Sequence, residues 1–118
     1  MKLFAAVLSL GLACATAHAA DKDGNFQILG AGALSCQKYL DAGKQDRLYA
    51  ETWWAGYRTG VNRTTDDMWS AVGKKSVDDV NDMIEQQCKD NPDDLLAAAV
   101  QNILDDLYKT RTKVGPDK

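Results

Sequence analysis

The sequence predicts an all-α domain of four helices, one of them short. Three observations support this fold class. Apolar residues recur at the three-and-four spacing of a helix in three long segments. Residues that cap helices stand just before the predicted helices, and no segment shows the convincing alternation of a strand. The chain has 118 residues, which is enough for one small domain.

The N-terminus resembles a secretory signal peptide, predicted to cover residues 1–20. Lys2 is its only charged residue, residues 3–13 are apolar or small, and Ala17-His18-Ala19 fits a cleavage site. The apolar stretch is shorter than the roughly 20 residues that span a bilayer. Cys14 leaves lipidation as an alternative, but Gly11 stands where a lipobox prefers leucine. We therefore expect an exported protein without a membrane span.

Residues 21–34 contain three glycines and show no clear periodicity, so they are predicted to form a flexible arm. The predicted domain covers residues 35–112. Its first helix is short, runs from Cys36 to Asp41, and has Ser35 as its N-cap. Gly43 is expected to stop this helix.

The second helix is predicted over residues 46–62. It carries a broad apolar stripe, expected to face the core, made of Leu48, Tyr49, Trp53, Trp54, Tyr57 and Val61. Gly56 and Gly60 share a face and predict the close approach of another backbone, unless Gly60 simply lies at the helix end. A polar loop containing Trp69 follows.

The third helix begins after Ser76, which forms a capping box with Asp79. Val77, Val80, Ile84 and Cys88 are spaced to lie on one buried face.

The fourth helix is predicted to start with Asn91 as its cap, Pro92 in its first position, and Asp93 and Asp94 in its first turn. It should run to about Arg111. Residues 113–118 form a predicted C-terminal tail that begins just before Gly115-Pro116.

Charge and composition exclude several classes of function. All 17 acidic residues and 13 of the 14 basic residues follow residue 20, so the exported chain would carry a net charge of −4. This charge disfavours nucleic acid and anionic membranes as partners. The exported part has no histidine, nucleophile motif or phosphate loop. We therefore predict no enzyme, no metal site and no cofactor.

Two cysteines remain after residue 20, Cys36 and Cys88. An even number in an exported chain suggests a disulfide, and two free buried thiols are the alternative.

Several motifs in order resemble the HdeA/HdeB family of periplasmic acid-stress chaperones. They are Ser-Cys-Gln-Lys-Tyr-Leu-Asp from Ser35, Thr-Trp-Trp-Ala-Gly-Tyr from Thr52, and Gln-Gln-Cys-Lys-Asp-Asn-Pro-Asp from Gln86. The resemblance covers roughly residues 34–107, and the tryptophan pair is closer to the HdeB branch. The chain departs from the family pattern in its longer arm, its two helical glycines and its loop around Trp69.

The resemblance implies a small helical fold with a disulfide between Cys36 and Cys88. It also implies a homodimer near neutral pH that loosens in acid and holds unfolding periplasmic clients without ATP or a cofactor. Related small secreted helical proteins include immunity proteins, so an inhibitor that binds one cognate toxin at neutral pH is the second reading.

Two sets of residues are candidates for these roles. Exposed aromatic side chains favour binding of a client or a second copy, and the candidates are Trp53, Trp54, Tyr57 and Trp69. Carboxylates at helix starts lose their favourable charge in acid, and the candidates are Asp78, Asp79, Asp93 and Asp94.

Overall fold

The computed structural model of the protein describes residues 20–116. Four helices are present: α1 (Cys36–Asp41), α2 (Lys44–Thr64), α3 (Val77–Asp90) and α4 (Leu96–Leu107). Two 3₁₀ turns flank them, at Gly30–Ala33 and Tyr108–Thr110. In this range, β-type pairing is limited to two isolated bridges. The predicted all-α fold with one short helix is confirmed, while the predicted signal peptide lies almost wholly outside the described residues.

The first two helices follow local sequence signals closely. Ser35 caps α1 by accepting a hydrogen bond from the backbone N–H of Lys38, as predicted. Gly43 separates the helices and is the N-cap of α2, so α2 begins two residues earlier than predicted. It also ends two residues later, at Thr64.

The stripe predicted for α2 is only partly buried. Ala50 and Trp54 face the core, whereas Leu48 and Tyr49 are exposed. Gly56 and Gly60 are both exposed, and a Cβ on either would meet no atom within 4 Å. The expected close approach of another backbone at these glycines is therefore wrong for the described part of the chain.

The third helix confirms the predicted capping box. The Ser76 side chain accepts a hydrogen bond from the Asp79 N–H, and the Asp79 carboxylate accepts one from the Ser76 N–H. Val80, Ile84 and Cys88 are buried along one face. Val77 was expected to share this face, but it lies in the first turn and is half exposed.

The start of α4 differs from the prediction because tertiary pairing overrides the capping signal. Residues 92–96 run alongside the start of α1: Cys36 N–H donates to Asp94 O, Gln37 N–H donates to Pro92 O, and Leu96 N–H donates to Leu34 O. These bonds hold residues 92–94 in a turn and Leu95 in an extended conformation, so the helix begins at Leu96, five residues after Asn91. The first turn of α4 contains no acidic residue.

The core lies where α1, α3 and α4 meet, with Trp54 of α2 entering from one side. Cys36 and Cys88 form a disulfide at its centre, with both residues fully buried. The pairing that the resemblance implied is confirmed. It joins the first residue of α1 to the last turn of α3.

The segment predicted as a flexible arm contributes to this core. Its Gly30–Ala33 turn packs against both α2 and α4, and Ala31 and Gly32 are buried. At the other end, the helix predicted to reach Arg111 ends at Leu107. Ser70 and Thr112 pair there, and Gly115 lies against the Trp69 ring. None of the helices in residues 20–116 is long and apolar enough to cross a membrane.

Candidate functional site

An exposed apolar surface forms where the arm crosses α2 and the start of α4. We call it the α2–arm patch and define it by residues that adjoin one another around this crossing: Phe26, Ile28, Leu29, Tyr49, Trp53, Tyr57 and Leu95. Phe26, Leu29 and Tyr49 are each more than 60% exposed. Single exposed apolar residues are ordinary, whereas a contiguous group of them makes this surface a candidate for binding.

Trp53 is the centre of the patch. Its indole Nε1–H donates a hydrogen bond of 2.7 Å to the carbonyl oxygen of Leu29 in the arm. Its ring stacks on Tyr57, with ring centroids 5.4 Å apart. The ring also lies so close to Gly32 that a Cβ there would overlap it. The arm can therefore follow this path only with glycine at position 32.

Tyr57 links the patch to α4. Its hydroxyl donates to Oε1 of Gln101, whose amide in turn donates to Asp105 over 2.7 Å. Burial, together with the nearby Asp105 charge, raises the pKa of Tyr57. The hydroxyl thus stays a neutral donor in acid, and the candidate role of Tyr57 at a binding surface remains a prediction.

Trp54 is a core residue, contrary to the prediction that placed it on a binding surface. Only 2% of it is exposed, and its Nε1–H donates to Oδ1 of Asn81 in α3 over 2.8 Å. Neighbouring residues of a helix point about 100° apart. Trp54 therefore faces α3 while Trp53 faces the arm.

Trp69 lies on a second surface, separate from the α2–arm patch. It is 55% exposed, and its backbone N–H donates to Thr112 O in the C-terminal segment. Gly115 packs under its ring. The chain thus presents two aromatic surfaces at different places, where the sequence alone gave a single set of candidates.

A polar cluster connects three helices, and sequence reasoning missed it. Arg47 of α2 pairs with Glu85 of α3 over 3.1 Å, and Lys89 pairs with the same carboxylate over 2.8 Å. Arg47 also donates to Leu40 O at the end of α1, and its guanidinium lies 4.3 Å from the centre of the Tyr39 ring. The spacing of Glu85 and Lys89 could have indicated their pair, but nothing local indicates Arg47.

Among residues 20–116, three carboxylates have pKa values below their usual range. The hydrogen bonds from Lys89 and then Arg47 lower the pKa of Glu85. The hydrogen bonds from Ser76 lower the pKa of Asp79, and backbone N–H groups of Asn25 and Asp23 lower that of Asp21. Such groups stabilise the fold above their unfolded pKa, and this contribution is lost as the pH falls through the folded value.

The other predicted acid-sensitive residues lie in different settings. Asp78 is exposed in the first turn of α3, where a carboxylate favours the helix dipole. Asp93 and Asp94 are exposed in the turn before α4 and do not belong to its first turn. Residues 20–116 contain no group of three or more His, Cys, Asp or Glu side chains that could hold a metal ion.

Comparison with known proteins gives a family and no individual relative. The family model described as HdeA/HdeB matches residues 2–98. No curated protein and no solved structure matches the chain. The match covers most of the chain and includes α1, α2, α3 and both cysteines.

Proposed function

The chain belongs to the HdeA/HdeB family, and we propose that it is an ATP-independent holdase that acid activates to keep periplasmic client proteins from aggregating. The family consists of periplasmic acid-stress chaperones that bind other proteins, and it is not a family of enzymes. The α2–arm patch is the observation that supports this proposal best. We also place the chain nearer the HdeB branch, on its Trp53-Trp54 pair, and assign export to residues 1–20.

The patch suits a partner without fixed sequence. Its side chains are large, apolar and aromatic, and such residues dominate binding energies at protein interfaces. The groove that Phe26, Ile28 and Tyr57 line has no charged side chain among the described residues of its lining. An unfolded client exposes apolar segments of many sequences, and contact with a broad apolar surface does not require one of them in particular.

Acid weakens the ties that hold α2 in place. The pKa of Glu85 is lower in the folded protein than in the unfolded chain. Its ion pairs with Arg47 and Lys89 therefore stabilise the fold above the unfolded-state pKa, and this stabilisation is lost as the pH falls through the folded-state pKa. At the same time the net charge of the exported chain changes from −4 to about +13, because carboxylates are neutral near pH ~2. This self-repulsion opposes the closed fold.

The disulfide limits how far the chain can open. Cys36 and Cys88 stay joined in acid, so α1 and α3 remain tethered while α2 lies in the loop between them. Loosening can therefore expose α2 and the arm without separating the ends of that loop. The bond also fits an oxidising compartment such as the periplasm.

We further propose that a second copy covers the Trp69 surface near neutral pH. An exposed tryptophan beside a small residue offers an anchor of the kind found at interface centres. The family resemblance supports a homodimer. Molar mass measured by light scattering at neutral pH and in acid tests this assignment.

The decisive experiment measures aggregation of two unrelated periplasmic proteins at about pH 3 and at neutral pH, with and without the purified protein. We expect suppression in acid only. Tyr49→Ala should weaken it, because Tyr49 is an exposed member of the patch, and Tyr108→Ala is the matched control, because Tyr108 is an exposed tyrosine at the far end of α4. Absence of suppression in acid would contradict the proposal, and tight binding of one partner at neutral pH would favour the immunity reading.

A further inference from the structure

The arm crosses the apolar surface on a defined path. Residues 25–29 run without regular structure, and the Gly30–Ala33 turn then lies between α2 and α4. Ile28 and Phe26 line a groove with Tyr57 and Leu95, and this groove has a volume of about 230 Å³. Part of the chain itself thus lies against Trp53 and forms one wall of this groove.

The inner part of the arm contacts the helices, whereas the hydrogen bonds of its outer part are local. Its inner part is secured by the buried Ala31 and Gly32 and by the bond from Trp53 to Leu29 O. The hydrogen bonds of residues 21–25 close a local turn around Asp21 and reach no helix in the described part of the chain. A single hydrogen bond, from a side chain of α2 to the main chain of the arm, therefore joins residues 20–33 to the helices in the described part of the chain.

That bond has a chemical consequence for recognition. The indole N–H of Trp53 donates to a backbone carbonyl, a group that every residue of any polypeptide provides. The wall of the neighbouring groove that faces the arm is mostly apolar, with Tyr57, Leu95 and two alanines, and it also includes two polar side chains of α4, Gln101 and Asn102. An extended apolar segment of another protein can supply the same carbonyl and the same apolar contacts as the arm.

We propose that Phe26–Gly32 is a built-in cover of the part of the α2–arm patch that α2 and Leu95 contribute, and that extended apolar segments of clients bind by taking its place on Trp53. This proposal rests on the proposed holdase function and adds which site clients use and what competes with them. Withdrawal of the arm removes Ala31 from the core but leaves the disulfide and the other core residues of α1, α3 and α4 in contact.

The test uses two Gly→Ala variants of the protein, produced from the complete chain and purified from the periplasm. Gly32→Ala places a methyl group against the Trp53 ring and should displace the arm, and this glycine does not need a positive φ. Gly56→Ala is the matched control, because its methyl group enters open space on the exposed face of α2. Both remove backbone freedom from the unfolded chain, and Gly56→Ala adds helix propensity to α2 but no clash, so displacement of the arm is expected from Gly32→Ala alone.

Hydrogen exchange of two indole N–H groups reports the position of the arm at neutral pH. In Gly32→Ala we expect the Trp53 N–H to exchange at least about tenfold faster, while the Trp54 N–H, bonded to Asn81, stays protected. The variant should also suppress client aggregation at neutral pH, where the wild type and Gly56→Ala do not. If Trp54 loses protection together with Trp53, the arm belongs to the folding core and the cover proposal is overturned.

Two further measurements distinguish a failure of the cover proposal from a failure of the proposed holdase function. Ile28→Ser loosens the arm from the groove without a clash and should show the same gain to a smaller extent. A synthetic peptide of residues 21–34 should reverse the gain of Gly32→Ala, and the same peptide with alanine at position 32 should not. Suppression by the wild type in acid without any gain in these variants overturns the cover alone. No suppression by the wild type in acid overturns the holdase function itself.

Discussion

Removal of the disulfide should cost this domain a large part of its stability. Cys36 and Cys88 are 52 positions apart. In the chain-entropy description, the constant term gives about 0.6 kcal/mol and the loop-length term about 3.5 kcal/mol at 25 °C, hence about 4 kcal/mol together. Domains of this size are stabilised by about 5–15 kcal/mol in total.

Urea unfolding at neutral pH, followed by circular dichroism, measures the loss. With an m value of about 1–2 kcal/mol/M, the midpoint should fall by about 2–4 M in Cys36→Ala, in Cys88→Ala and in the double variant. The three losses should be nearly equal, because each variant breaks the same bond. If the loss in the double variant equals the sum of the losses in the two single variants, the stabilisation comes from the packing of the two separate side chains. A loss under about 1 kcal/mol would refute the loop argument.

Three other predictions concern acid sensitivity and assembly. Glu85→Gln should lower the free energy of unfolding at neutral pH by at most about 1 kcal/mol, because the ion pairs of Glu85 are partly exposed. In acid titrations it should move the onset of client holding to higher pH, and an unchanged onset would show that Glu85 does not control activation. Asp79→Asn should lower the thermal midpoint at neutral pH more than Asp93→Asn, because Asp79 alone belongs to a capping box, and equal shifts would contradict this. Trp69→Ala should halve the molar mass at neutral pH and leave acid holding intact, whereas an unchanged mass would exclude the Trp69 surface as the dimer contact.

The sequence predicted the features that local signals determine. Ser35, Ser76 and Asp79 act as caps because side chain and backbone lie within a few residues of each other. The spacing of Val80, Ile84 and Cys88 was sufficient to place them on one buried face. The start of α4 could not be predicted, because distant backbone bonds to residues 34–37 keep residues 92–95 out of the helix.

The site was predictable only in part for the same reason. Trp53 and Trp54 are adjacent, and the sequence does not tell which one faces the core. The arm carries no periodic pattern, so its passage over Trp53 depends on a contact across 24 positions. Arg47 joins residues from three helices, and their proximity arises only in the folded chain.

Arg47 gives the fold an asymmetric response to acid. An arginine guanidinium stays charged in acid, whereas a carboxylate is neutralised. The side chain of Arg47 is only 24% exposed, and its Nε–H is buried without a hydrogen-bond partner among the described residues. Once Glu85 is neutral, the closed state holds a largely buried cation that has lost its counter-charge, so the residue that fastens α2 at neutral pH holds it less strongly in acid.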